Sequence, residues 1–132
     1  MIAFAAALLT AAPPAAADPV TGRWITEDGS ALVAIAPCGG KLCGRIERVL
    51  VSKPGQPTTD VANPDPRLRS RPFVGLPILT GFTDGGAVWK GQIYDPRAGK
   101  TYRSELRREG DTLHVKGCIA IFCRNQRWRR AR

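Results

Sequence analysis

Histidine occurs once in the 132 residues, at His114, and methionine only at Met1. A lone imidazole excludes His-rich metal sites, and it leaves Ser-His-Asp or Cys-His catalysis only if His114 itself adjoins a nucleophile. No apolar run reaches the roughly 18 residues that a membrane-spanning helix needs. A sustained 3.6-residue apolar period is missing too, which removes helical bundles. Negative charge is scarce, with 11 Asp and Glu against 20 Lys and Arg, a net +9. The excess is confined to one part: residues 18–66 carry five basic and six acidic side chains, residues 67–132 fifteen and five. What remains, 43% hydrophobic and 23% charged, is the balance of one soluble globular domain, since this length is too short for two cores.

The first 17 residues lack charged side chains altogether. Ile2 to Leu9 is apolar, Pro13-Pro14 interrupts it and Ala15-Ala16-Ala17 follows, the pattern of a secretory signal peptide cleaved before Asp18. The expected product is a single domain over 18–132, periplasmic or secreted and not transmembrane after processing. Export also governs the four cysteines, which form two C-x4-C pairs, Cys38 with Cys43 and Cys118 with Cys123. In an oxidising compartment such pairs read as disulfides. A tetrathiolate zinc site is the competing chemistry, disfavoured by export, so neither metal nor cofactor is expected. Each closed loop would stabilise the fold by about 2 kcal/mol.

After Asp18, short β-branched and apolar runs alternate with turn clusters. Strands are expected near 20–26, 31–37, 43–51, 76–82, 87–94, 100–108, 112–118 and 123–130. The fold class is therefore all-β: a small antiparallel meander of about eight strands, closed into a barrel because closure removes exposed edges. Residues 52–75, rich in Pro, Asp and Arg, are expected to form a long loop or one short helix. Strands this short imply a shallow cavity.

Taking Glu109-Gly110 as a two-residue hairpin loop pairs Leu106 with Leu113, Ser104 with Val115 and Tyr102 with Gly117 on the inward face. Continuing through a Cys118–Cys123 bridge sets Leu113 opposite Trp128 and Val115 opposite Gln126. The inward polar and aromatic set, Tyr102, Ser104, Arg124, Gln126 and Trp128, is the candidate ligand site, because polar groups inside a barrel need partners. Trp24 and Trp89 either join it or fill the core. The outward set, Arg103, Arg107, Lys116, Arg127 and Arg129, is a candidate basic surface, extended by Arg67, Arg69 and Arg71. His114 falls on the same outer face, opposite Glu105. The apolar tip Ile119 to Phe122 is either a contact surface or tucked under the barrel mouth.

Catalytic arrangements are not found. Asp60, Asp65 and Asp84 sit in loops at unfixed separations, where Asp is normally turn chemistry. Gly99-Lys100-Thr101 ends like a phosphate-binding loop, but position 94 is Tyr where that motif needs Gly; Gly99 instead suits a positive-φ turn.

Gly22-Arg23-Trp24 resembles the G-x-W signature of lipocalin-like barrels, in which a basic residue of the last strand, here Arg129 or Arg130, covers the tryptophan. A longer series runs from there through Cys38-Gly39-Gly40-Lys41-Leu42-Cys43, Asn63-Pro64-Asp65-Pro66, Gly91-Gln92-Ile93-Tyr94-Asp95-Pro96, Gly99-Lys100-Thr101-Tyr102 and Gln126-Arg127-Trp128. It resembles the bacterial secreted family known as domain of unknown function 2147. That resemblance implies an exported, lipocalin-like β domain and no particular activity. The function expected is non-enzymatic binding of a small amphiphile; the alternative is an envelope protein whose basic face meets anionic lipid headgroups or a protein partner. Nucleic acid is not an expected partner.

Overall fold

The structure is a computed structural model that describes residues 3–7 and 19–132, so most of the expected signal peptide and its cleavage site lie outside the described residues. Eight strands follow one another: β1 (Gly22–Ile25), β2 (Ala31–Cys38), β3 (Lys41–Val49), β4 (Pro77–Asp84), β5 (Trp89–Asp95), β6 (Lys100–Glu109), β7 (Thr112–Ile119) and β8 (Phe122–Arg130). Each pairs antiparallel with the next, and β8 returns to β1 to close the barrel. The architecture is the one the alternating pattern implies. Among the described residues, no helix is long and apolar enough to cross a membrane.

Register on β7 and β8 agrees with expectation: Leu113 faces Trp128, Val115 faces Gln126 and Cys118 faces Cys123. Between β6 and β7 it differs. Leu106 pairs with Val115 and Ser104 with Gly117, because the turn is Gly110-Asp111 rather than Glu109-Gly110. Gly110 takes the left-handed φ of 60° that this turn requires. A slip of two residues keeps every side chain on its own face. His114 consequently faces Arg107 instead of Glu105, with Nε2 3.8 Å from Glu109.

Because a meander alternates its connections, the β2–β3, β4–β5 and β6–β7 turns share one end with the start of β1 and the end of β8. That end is packed shut. Trp24 is wholly buried there, its Nε1 donates to the Val20 carbonyl at 2.9 Å, and it belongs to one core cluster with Val33, Phe82, Leu106 and Leu113. The Arg130 guanidinium lies 5.5 Å from the Trp24 ring and that of Arg108 5.8 Å from it. The expected covering cation is thus Arg130, with a second contributed by β6. Close packing also explains Gly91: a Cβ there would meet the Thr80 carbonyl oxygen at 2.6 Å and the Phe82 ring at 2.7 Å.

Both disulfides form, Cys38–Cys43 across the β2–β3 turn at the closed end and Cys118–Cys123 at the base of the β7–β8 turn. The long connection from β3 to β4 is a loop with one three-residue 3-10 turn, Pro66–Leu68, capped by Asp65. Its arginines do not form a free cationic run as expected. Arg67 pairs with Asp65 at 3.0 Å, Arg69 Nε donates to the Asn63 carbonyl at 2.8 Å, and Arg71 lies 3.5 Å from Asp60. A loop with so little regular structure satisfies its polar groups with side chains instead.

The closed end should therefore carry a large share of the stability. Trp24→Ala is expected to cost about 3–5 kcal/mol in urea unfolding and Arg130→Ala about 1 kcal/mol. Equal costs for the two would contradict the role of Trp24 as the central plug.

Candidate ligand-binding site

The opposite end is open. Its walls are the β1–β2, β5–β6 and β7–β8 turns together with the β3–β4 loop, and they surround a cavity of about 1480 Å³. Small-molecule sites usually occupy roughly 300–1,000 Å³, so the space is ample. Loop residues such as Val51, Pro57 and Phe73 add to its wall beyond the strand ends.

Of the five expected ligand residues, Tyr102, Arg124, Gln126 and Trp128 line this cavity. Ser104 does not. It is buried one pleat farther from the mouth than Tyr102, and its Oγ finds no hydrogen-bond partner among the described residues. Trp128 is nearly buried at the cavity base, and its Nε1 donates to Gln126 Oε1 at 2.9 Å, which fixes the amide. Arg124 is exposed at the mouth, and its guanidinium makes no hydrogen bond or ion pair among the described residues. Trp24 and Trp89 take the structural role: one is the plug, the other packs against the core.

Gly117 stands opposite Arg124. An added Cβ would meet only Ile93 at 3.5 Å and Tyr102 at 3.8 Å, ordinary contacts with two cavity-lining side chains. Unlike Gly91, this glycine is not forced by packing. Its lack of a side chain is what leaves room beside Tyr102.

The family of uncharacterized proteins conserved in bacteria that carries the domain of unknown function 2147 matches residues 22–130, nearly all of the described domain. The chain belongs to that family. Among solved structures, a DUF2147 chain of this shape is similar to protein HP1028 of Helicobacter pylori, described as a member of the lipocalin family. The likeness has a TM-score of 0.75 at 20% identity and covers 86% of this chain and 84% of that one, which establishes the fold. No curated protein sequence matches the chain. Two disulfides in so small a DUF2147 domain are the covalent chemistry of an oxidising, exported environment.

Three features of the mouth escape a reading by strand parity. Arg97 of the β5–β6 turn pairs with Asp28 of the β1–β2 turn, linking two walls of the mouth. Partial burial raises the Asp28 carboxyl, but hydrogen bonds from Arg97, Ser30 and Thr26 outweigh that and hold it far below the usual carboxylate range. The second is Asp60, fully buried under the loop: it accepts from Tyr94 Oη at 2.6 Å and Asn63 Nδ2 at 2.8 Å, with Arg71 beside it. This cluster ties the loop to β5. Gly99 is the third, since its φ of 65° suits the turn and a Cβ would lie 1.9 Å from the Ala62 carbonyl oxygen. Asp60, Asp65 and Asp84 therefore serve the backbone and loop: Asp65 accepts from the Arg67 N–H at 3.0 Å and Asp84 from the Gly86 N–H at 2.8 Å.

Arg103, Arg107, Lys116, Arg127 and Arg129 stand on the outer faces of β6, β7 and β8, where carboxylates are interleaved with them. Arg107 pairs with Glu109 at 3.0 Å, Lys116 lies 3.8 Å from Glu105, and the Arg127 N–H donates to Glu27 at 2.6 Å. Arg103 is engaged with the Ala120 carbonyl, and Arg129 stands on the same face. An interleaved surface of this kind favours solubility over polyanion capture.

Tyr94 supplies the pH test of the loop anchor. Burial first, then the hydrogen bond and charge of Asp60, push its pKa up to about 12. Neutral Tyr94 is the form bound to Asp60, and its folded value lies above the ordinary value near 10. The contact therefore stabilises the fold fully below about pH 10 and is lost as pH rises through about 12. Ultraviolet titration of tyrosinate should show a late step that Tyr94→Phe removes and Asp60→Asn moves down.

Proposed function

We propose that this DUF2147 protein is a non-enzymatic carrier, in the periplasm or outside the cell, of a small amphiphile with an anionic head. The observation that carries the reading is the charge arrangement of the cavity. An apolar interior of Ile46, Ile78, Ile93, Val115 and Trp128 ends at a mouth where Arg124 has no protein partner among the described residues. An acyl or polyisoprenoid chain gains from leaving water for such an interior, at about 25 cal/mol per Å² buried. Its acidic head gains a charge-assisted bond from Arg124, with the Gln126 amide held alongside by Trp128. Ser104 belongs to the core beneath this site.

The competing reading, recognition of headgroups or a protein through the outer face of β6 to β8, has less in its favour. Most of those cations are engaged with Glu105, Glu109 or a carbonyl oxygen. His114 shares that face with Glu109 beside it, away from the cavity walls.

Binding of a fluorescent fatty-acid probe tests the proposal. Arg124→Ala with Gln126→Ala should weaken it about 10- to 100-fold, the range expected for losing a hydrogen bond to a charged group. Gly117→Leu, which narrows the cavity beside Tyr102 and Ile93 without a backbone clash, should weaken it while circular dichroism stays unchanged. A neutral alcohol of the same chain length should be insensitive to Arg124→Ala. Undiminished probe binding in Gly117→Leu removes the cavity from consideration. Native mass spectrometry of protein purified from its own envelope would weigh the retained ligand directly.

A further inference from the structure

The β7–β8 turn at the mouth carries side chains that soluble proteins usually hide. Ile121 is 88% exposed and Phe122 76%, with Ile119 at 51% beside them. The tip is not tucked under the mouth. It is held outward by the Cys118–Cys123 bridge at its base, by the left-handed Ala120 at φ 52°, and by Arg103 Nη2, which donates to the Ala120 carbonyl at 2.5 Å. A rigid hairpin cannot fold its apolar residues back onto the barrel. Val51 and Val74 of the long loop are exposed on the rim of the same cavity.

The chain as a whole carries a net charge of +9, so an anionic surface attracts it. At this end Asp28 is paired with Arg97, while the Asp95 and Glu27 carboxylates accept from the backbone N–H groups of Arg97 at 2.9 Å and Arg127 at 2.6 Å. Lys53 and Arg124 line the mouth and have no such partner among the described residues.

We infer that the open end of the barrel docks on a bilayer containing anionic phospholipid, with Ile121 and Phe122 inserted at the interface and Lys53 and Arg124 against lipid phosphates. Size decides for a bilayer over a folded partner. A stable protein interface buries about 1,200–2,000 Å² in total, far more than one two-residue turn presents. Membrane attachment needs only a shallow apolar insertion supported by basic residues. Ile119 and Phe122 line both the rim and the cavity, so docking sets the cavity entrance against the lipid. The docking surface stands on exposure and charge and does not require that the cavity hold a ligand.

Cosedimentation with phosphatidylcholine vesicles, with and without about 30% phosphatidylglycerol, at about 0.15 M salt, tests it. Binding should need the anionic lipid, and Ile121→Ser with Phe122→Ser should weaken it about tenfold or more. Phe122→Trp should add an emission that brominated acyl chains quench. Gly117→Leu should keep vesicle binding while weakening that of the fatty-acid probe, so that the two proposals fail separately. Absent vesicle binding, binding unaffected by the double substitution, or an unquenched Trp at 122 overturns the inference. Concentration-dependent dimers that the double substitution abolishes, without vesicle binding, would assign the tip to a second copy of the chain.

Discussion

The fold depends on one short seam. β1 contributes four residues, and only Trp24 and Ile25 pair with β8, opposite Arg130 and Arg129. So brief a ladder is a weak tie by hydrogen bonding alone, since each backbone bond contributes about 1 kcal/mol net. What holds the first strand to the last is the Trp24 side chain. It sits inside the barrel from β1, its indole N–H is bound at Val20, and cations from β6 and β8 cover its ring. Closure and core formation are thus the same event, and an unclosed sheet would expose the edges of β1 and β8.

From that plug the interior follows by parity. Inward positions near Trp24 are large and mutually packed, with Phe82 lying where the absent side chain of Gly91 would be. Toward the other end the inward positions of β7 and β8 become Gly117, Arg124 and Gln126, which cannot close the space. The barrel is solid at one end and hollow at the other because bulk is distributed along the strands in that order. No change of backbone architecture is needed.

Most of this was legible because it is local. The turn signals located all eight strands, and the Cys118–Cys123 pair fixed the β7–β8 register independently of the hydrophobic pattern. The β6–β7 hairpin was misplaced because Glu109-Gly110 and Gly110-Asp111 are equally good turns by composition. The error was harmless to facing since the two registers differ by a whole pleat. It did misassign the neighbour of His114. The illegible part is the long loop. Asp60 finds Tyr94 across 34 residues and Arg97 finds Asp28 across 69, and no periodicity links positions so far apart. Arginines 67, 69 and 71 look like a cationic run in the sequence, yet each is consumed locally. Only Gly99, whose missing Cβ admits the Ala62 carbonyl, hints in the sequence at a close approach.

The same molecule carries an exposed apolar tip and a formal charge of +9, and the two belong together. A rigid protrusion ending in Ile121 and Phe122 invites self-association, and the hollow end beside it offers an apolar surface for a second copy's tip to enter. Such a tip-into-cavity contact is heterologous, and contacts of that type propagate into open chains unless something prevents them. Net charge does so without touching the site, because like-charged molecules repel at the distances where the tip would otherwise find its partner. The repulsion acts only between copies of the chain and becomes attraction toward an anionic surface. One electrostatic property can therefore keep the open end free in solution and direct it to a membrane.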